Sequence, residues 1–138
     1  MAMYRLGRKS MRKLTGVYPP LAIVVMRAIE ITNVDFAVFE GVRGIERQRF
    51  LYRTGKSRTL KSYHLWGLAV DLVPYVNGRL TWESLEAFDE IDRAMTQAVE
   101  ELGFHYIQRP FDWDRAHFQC TGKKGEYDIR RIHPCFNK

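Results

Sequence analysis

Two short polar clusters, far apart along the chain and each set among apolar residues, constrain this sequence more than any other feature. The first is Ser62-Tyr63-His64-Leu65-Trp66-Gly67-Leu68-Ala69-Val70-Asp71, and the second is Trp113-Asp114-Arg115-Ala116-His117-Phe118. Gly67 disfavours helix between His64 and Asp71. A loop-to-strand transition instead places His64 on a rim and Asp71 on the adjoining strand, both aimed at one point. Two histidines and an aspartate brought together suit a single zinc ion, with a fourth position open for water.

The chain of 138 residues is expected to form one domain (1–138), long enough to bury a core without disulfide staples. A basic leader of about 1–16 and a basic tail of about 121–138 carry much of the +6 net charge. That balance favours anionic partners. Nucleic acid is not expected among them, because there is no basic helix or interleaved aromatic platform. Cys120 and Cys135 are too few for a disulfide scaffold and are read as free thiols, with one disulfide left open. The apolar run Leu21-Ala22-Ile23-Val24-Val25-Met26 falls short of the roughly 20 residues that span a bilayer. No cleavage site follows it, so neither a signal peptide nor stable membrane insertion is expected.

Periodicity organises the rest. Pro19-Pro20 can open a helix running to about Thr32, with Leu21, Val24, Val25, Ala28 and Ile29 on one face. Phe36 to Phe39 reads as a buried strand, Ile45 to Tyr52 as a short helix, and Thr54 to Ser62 as a polar loop. Leu68 to Tyr75 reads as a central strand and Asn77-Gly78 as a turn. Thr81 is the expected N-cap of the longest helix, Trp82 to Leu102, which Gly103 stops. Its buried stripe is expected to run from Leu85 through Phe88, Ile91, Met95, Ala98 and Val99 to Leu102. Phe104 to Gln108 and Ala116 to Cys120 are expected as two short strands. The class is α+β, with helices packed on a small antiparallel sheet.

Chemistry follows from Asp114-x-x-His117. If His117 begins a strand and Asp114 ends the preceding turn, both face one cleft without both binding metal. Asp114 is then placed as a base for a water whose pKa zinc lowers to about 7, and later as the acid that delivers the proton to a leaving amine. Ser62 can orient a backbone group or a substrate.

The double motif Ser-x-His-x-x-Gly-x-Ala-x-Asp and Asp-x-x-His resembles the zinc D,D-carboxypeptidase and L-alanyl-D-glutamate peptidase family, and its phage endolysin branch in particular. Gly55 to His64 is similar to the loop those endolysins carry before the first ligand. Glu40 to Gln48 matches the family's strand-end arginine and following glutamine. The resemblance covers about Phe36 to Gln119. It implies a hedgehog/D,D-peptidase-like domain and one zinc ion per chain, held by His64, Asp71 and His117, with Asp114 as acid/base. It also implies that Arg43 grips a substrate carboxylate or polarised carbonyl, and that Gln48 and Ser62 lie near the substrate cleft. Ala116 stands where members often carry proline, and Asp114 where many carry glutamate.

Plainer readings stand beside these. Arg43 can pair with Glu40 or Glu46, Ser62 can cap its own loop, and Asp114 can cap an Asx turn. His105 reads as a core or edge histidine and His133 as an exposed one. Trp66 and Trp82 read as core or cleft wall, while Trp113, beside Asp114, is the tryptophan best placed to touch substrate. The expected activity is hydrolysis of peptidoglycan peptide stems at the L-alanyl-D-glutamate bond by a monomeric endolysin. Such an enzyme would wait in the host cytoplasm until a pore made by another protein lets it reach the wall. The rivals are a D,D-carboxypeptidase or dipeptidase removing terminal D-alanine, a zinc-stabilised wall-binding domain without activity, and a basic nucleic-acid-binding protein.

Overall fold

A computed structural model describes residues 3–120. Cys135, His133 and the basic tail lie outside the described residues. In chain order the elements are α1 (Arg8–Lys13), α2 (Pro19–Ile31), β1 (Phe36–Glu40), α3 (Ile45–Arg53), a 3-10 turn (Tyr63–Trp66), β2 (Ala69–Val76), β3 (Arg79–Leu80), α4 (Leu85–Leu102), β4 (Ile107–Gln108) and β5 (His117–Cys120).

β2 is the spine of an antiparallel sheet ordered β1-β2-β5-β4, with β3 hairpinned onto its far end. Side chains alternate across a strand with period two, and β2 uses both faces. Val70 and Leu72 join the main core beneath α2 and α4. Ala69 and Asp71 turn to the opposite face, where the polar cluster assembles. On α2 the expected stripe of Leu21, Val24, Val25, Ala28 and Ile29 is buried. Asn77 and Gly78 both have positive φ, the geometry a two-residue hairpin turn requires.

Three expectations need correction. The longest helix starts at Leu85 rather than Trp82, because the Ser84 hydroxyl, not that of Thr81, accepts the Ala87 amide at 3.2 Å. Its stripe is shorter too: Leu85 and Leu102 are exposed, whereas Ala87 and Ala94 are buried. The last two strands are shorter than expected, and His105 lies before β4 as an exposed turn residue. Beyond these, the basic leader is structured where no element was expected. It forms α1 and docks on β1, where the buried Ser10 hydroxyl accepts the Val38 amide at 2.9 Å.

Two glycines permit the close approaches that bring this leader to the site. Gly67 ends the 3-10 turn with φ +71°, and a side chain there would also meet the Gly16 carbonyl. Gly41 follows β1, and a Cβ added to it would collide with the Lys13 backbone carbonyl. Backbone cannot yield as a flexible side chain can. Gly41→Ala is therefore expected to cost about 3 kcal/mol, lowering the melting temperature by roughly 10 °C in a thermal unfolding scan.

Candidate metal centre and cleft

Strand register builds the centre. β1 slips by one residue between Val38 and Glu40, so that Glu40 pairs with Asp71 of β2; on the other side Asp71 pairs with His117 of β5. A bulge of this kind re-aims the residues after it. Glu40, Asp71 and His117 thus form one row across three strands. The fourth member, His64, arrives from the 3-10 turn, which is capped by Ser62 and tied down by the Arg43 amide donating to the His64 carbonyl at 2.9 Å.

Outer hydrogen bonds select the tautomer of each imidazole. His64 Nδ1 donates to the Gly41 carbonyl at 2.8 Å, and His117 Nε2 donates to Gln119 Oε1 at 2.8 Å. The inner nitrogens, His64 Nε2 and His117 Nδ1, each lie 3.2 Å from Asp71 Oδ1. Two imidazole lone pairs and a carboxylate oxygen therefore converge, all within 4.8 Å of one another. Three acceptors facing each other in a buried setting are unfavourable unless positive charge lies between them. The donor set and its outer support are those that suit a divalent metal of zinc's type.

The ionisation balance points the same way. Burial works to raise the Asp71 carboxyl, but hydrogen bonds from His117 and His64 and their charge outweigh it, holding the group well below the usual carboxylate range. For His117, burial works to lower the pKa, and the hydrogen bond and charge of Asp71 raise it by more. The site favours positive charge beside Asp71, whether a proton or a metal ion supplies it. Asp114 behaves differently. Burial first, and then the negative charge of Asp71, push its carboxyl upward. A carboxyl that holds its proton more tightly than a free one suits a group that must take up a proton and give it back. Cys120 is a buried thiol pushed up to about 12 by burial, which leaves it unreactive.

A cleft of about 810 Å³ opens over this centre, with Asp71, His64, His117 and Asp114 in its lining. Arg43 and Ser62 also line it, as does Trp113, whose ring stacks on Phe111 with centroids 4.9 Å apart. Trp82, half exposed on the same wall, meets Phe39 edge-on. Ser62 uses its hydroxyl to accept the His64 amide at 3.2 Å, as a loop-capping residue does. Arg43 is bidentate to Glu40 at 2.8 Å and donates to Gln48 Oε1 at 2.7 Å, with Nη2 3.7 Å from Asp71 Oδ2. Those bonds leave one N–H free on each terminal nitrogen of the guanidinium. Gln48 is fully buried behind the cleft, where its amide donates to Ser57 Oγ and the Thr59 carbonyl.

Sequence reasoning passed over Gln119. It stands two residues from His117 on β5, and period two puts the pair on one face; that spacing was the available signal. Replacing Gln119 with leucine keeps the volume and removes the acceptor that orients His117. Gln119→Leu is expected to weaken metal binding at the candidate centre by about 10–100-fold in a chelator-competition titration.

An antiparallel sheet that gathers two histidines and a carboxylate at its centre, beneath an open cleft, defines a candidate single-ion metal centre. Comparison with known proteins carries this further. A family profile for phage L-alanyl-D-glutamate peptidases matches residues 1–132. The L-alanyl-D-glutamate peptidase of Escherichia phage T5 is 33% identical over 129 residues, covering 91% of this chain and 93% of that protein. The crystal structure of the Serratia marcescens L-Ala D-Glu endopeptidase ChiX superposes with a TM-score of 0.78 at 35% identity, over 86% of this chain and 91% of that one. This chain belongs to the phage L-alanyl-D-glutamate peptidase family.

Proposed function

We propose that this protein is a zinc-dependent endolysin that hydrolyses the L-alanyl-D-glutamate bond of peptidoglycan stems. The observation that carries the reading is the convergence of three acceptor atoms, from two buried histidines and a partly buried aspartate, under an open cleft within a chain of this family. His64 Nε2, Asp71 and His117 Nδ1 would hold one zinc ion. Zinc bound there supplies an acidified water and a Lewis acid for the scissile carbonyl. Asp114, half buried beside the cluster, takes the proton of the attacking water and returns it to the leaving amine. Arg43, braced by Glu40, steadies Asp71 and offers its free N–H groups to a substrate oxygen. Trp113 and Ser62 line the cleft in which the stem would lie, and Gln48 supports the loop forming one wall.

The family and both relatives share the L-alanine–D-glutamate bond, which favours this endopeptidase reading over removal of terminal D-alanine. Among the described residues, no helix is long and apolar enough to cross a membrane. The proposal includes a monomer that waits in the host cytoplasm until another protein opens a path to the wall. The enzyme should solubilise purified peptidoglycan, stop when a chelator removes its metal, and resume on addition of zinc. Undiminished release of soluble fragments after complete chelation would refute metal dependence.

A further inference from the structure

The cleft is electrically lopsided. Its floor holds the carboxylates already described, whereas the segment 54–62 along its rim carries Lys56, Arg58 and Lys61 and no acid. Among the described residues, neither Lys56 nor Lys61 has an ion-pair partner. The Arg58 guanidinium lies over the Trp113 ring at 4.4 Å, reaching from one wall of the cleft to the other. Nor is the segment loosely placed. Buried Gln48 holds Ser57 and Thr59 by its amide, and the Leu51 carbonyl accepts the amides of Lys56 and Ser57 at 2.9 and 3.0 Å. One cation held against an aromatic wall and two lysines beside it, without acids on their segment to neutralise them, form a receptor for an anionic group on a peptide-sized ligand.

The bond named above places a glutamate on one side of the scissile amide. Glutamate carries two carboxyl groups, and only one can continue the chain at a time. The other is a free carboxylate within a few bonds of the reacting carbon. The two N–H groups that Arg43 has left beside Glu40 and Gln48 are assigned above to one substrate oxygen, so this second carboxylate needs cations of its own. We propose that Lys56, Arg58 and Lys61 form a carboxylate-reading subsite that binds the free carboxylate of this acidic residue and selects it over its uncharged amide. The inference rests on the peptidase reading and names the part of the substrate that the rim recognises.

The test compares two synthetic stem peptides, one with the free carboxylate and one with a carboxamide in its place. With the zinc-loaded full chain, the carboxylate peptide should be cleaved with kcat/KM about tenfold higher, the difference lying in KM. In Lys56→Gln/Lys61→Gln this ratio should fall toward one, while Lys56→Arg/Lys61→Arg should keep it. Calorimetric titration with the carboxylate peptide should show the same order of affinities without requiring turnover. Equal cleavage of both peptides by the wild type, or an undiminished ratio in the glutamine variant, would overturn the subsite and leave the peptidase reading intact. Failure of the loaded wild type to cleave either peptide would overturn both.

Discussion

Asp114→Asn is expected to lower kcat on peptidoglycan by about 10²–10⁴-fold, the usual contribution of a positioned acid/base, while zinc remains bound at wild-type stoichiometry. Asparagine keeps an oxygen that can accept the Ala116 amide, so the turn that carries the residue has no reason to rearrange. Stability should move the other way. Burial and Asp71 raise the Asp114 pKa in the folded protein, so the folded state holds this proton more tightly than the unfolded chain. Stability is then lost as pH rises from the unfolded carboxyl value through the folded one. Ionisation of the group in the fold is a cost that asparagine avoids. The metal-free variant should therefore melt no lower than the metal-free wild type at pH 7. A marked drop in melting temperature would mean that Asp114 serves the fold as a turn cap rather than the reaction.

Asp71→Asn should have the complementary effect. It leaves the size of the side chain and the pairing of β2 with β1 and β5 intact but removes the one negative charge of the proposed ligand set. Zinc affinity is expected to fall by more than the about 100-fold upper range for residues that merely orient a ligand. Activity at limiting zinc should fall with it, and excess zinc should restore part of it. A second consequence appears without metal. Asp71 raises the pKa of His117, so the variant should lower the pH at which that imidazole titrates, a change visible by proton NMR. Undisturbed zinc affinity would remove Asp71 from the ligand set.

The parts of this molecule that were legible in the sequence are those encoded locally. Pro19-Pro20 and the spacing of Leu21, Val24, Val25, Ala28 and Ile29 define α2 without help from any neighbour. Gly103 stops α4 where expected, because its positive φ is a local requirement. The helix start was missed by a few residues because Thr81 and Ser84 are chemically alike as caps, and only packing chooses between them. α1 escaped notice because five polar or basic residues, one of them a buried serine, and an exposed methionine show no amphipathic period. The candidate metal ligands were legible as residue types within a double motif. Their support was not: the bulge that sets Glu40 opposite Asp71 is a property of strand pairing, invisible to a one-dimensional reading. For the same reason the sequence left Arg43 with two possible partners, and the fold joins it to Glu40 alone of the pair.

The roles assigned to this row of residues meet in one measurement, the mass spectrum of purified muropeptides digested by the zinc-loaded protein. Fragments are expected in which the stem has been released with a new amino-terminal glutamate, leaving L-alanine on the glycan side. The same fragments should be absent when the metal is chelated and when Asp114→Asn replaces the wild type. Products that differ from the substrate only by loss of one terminal D-alanine would make the protein a carboxypeptidase instead.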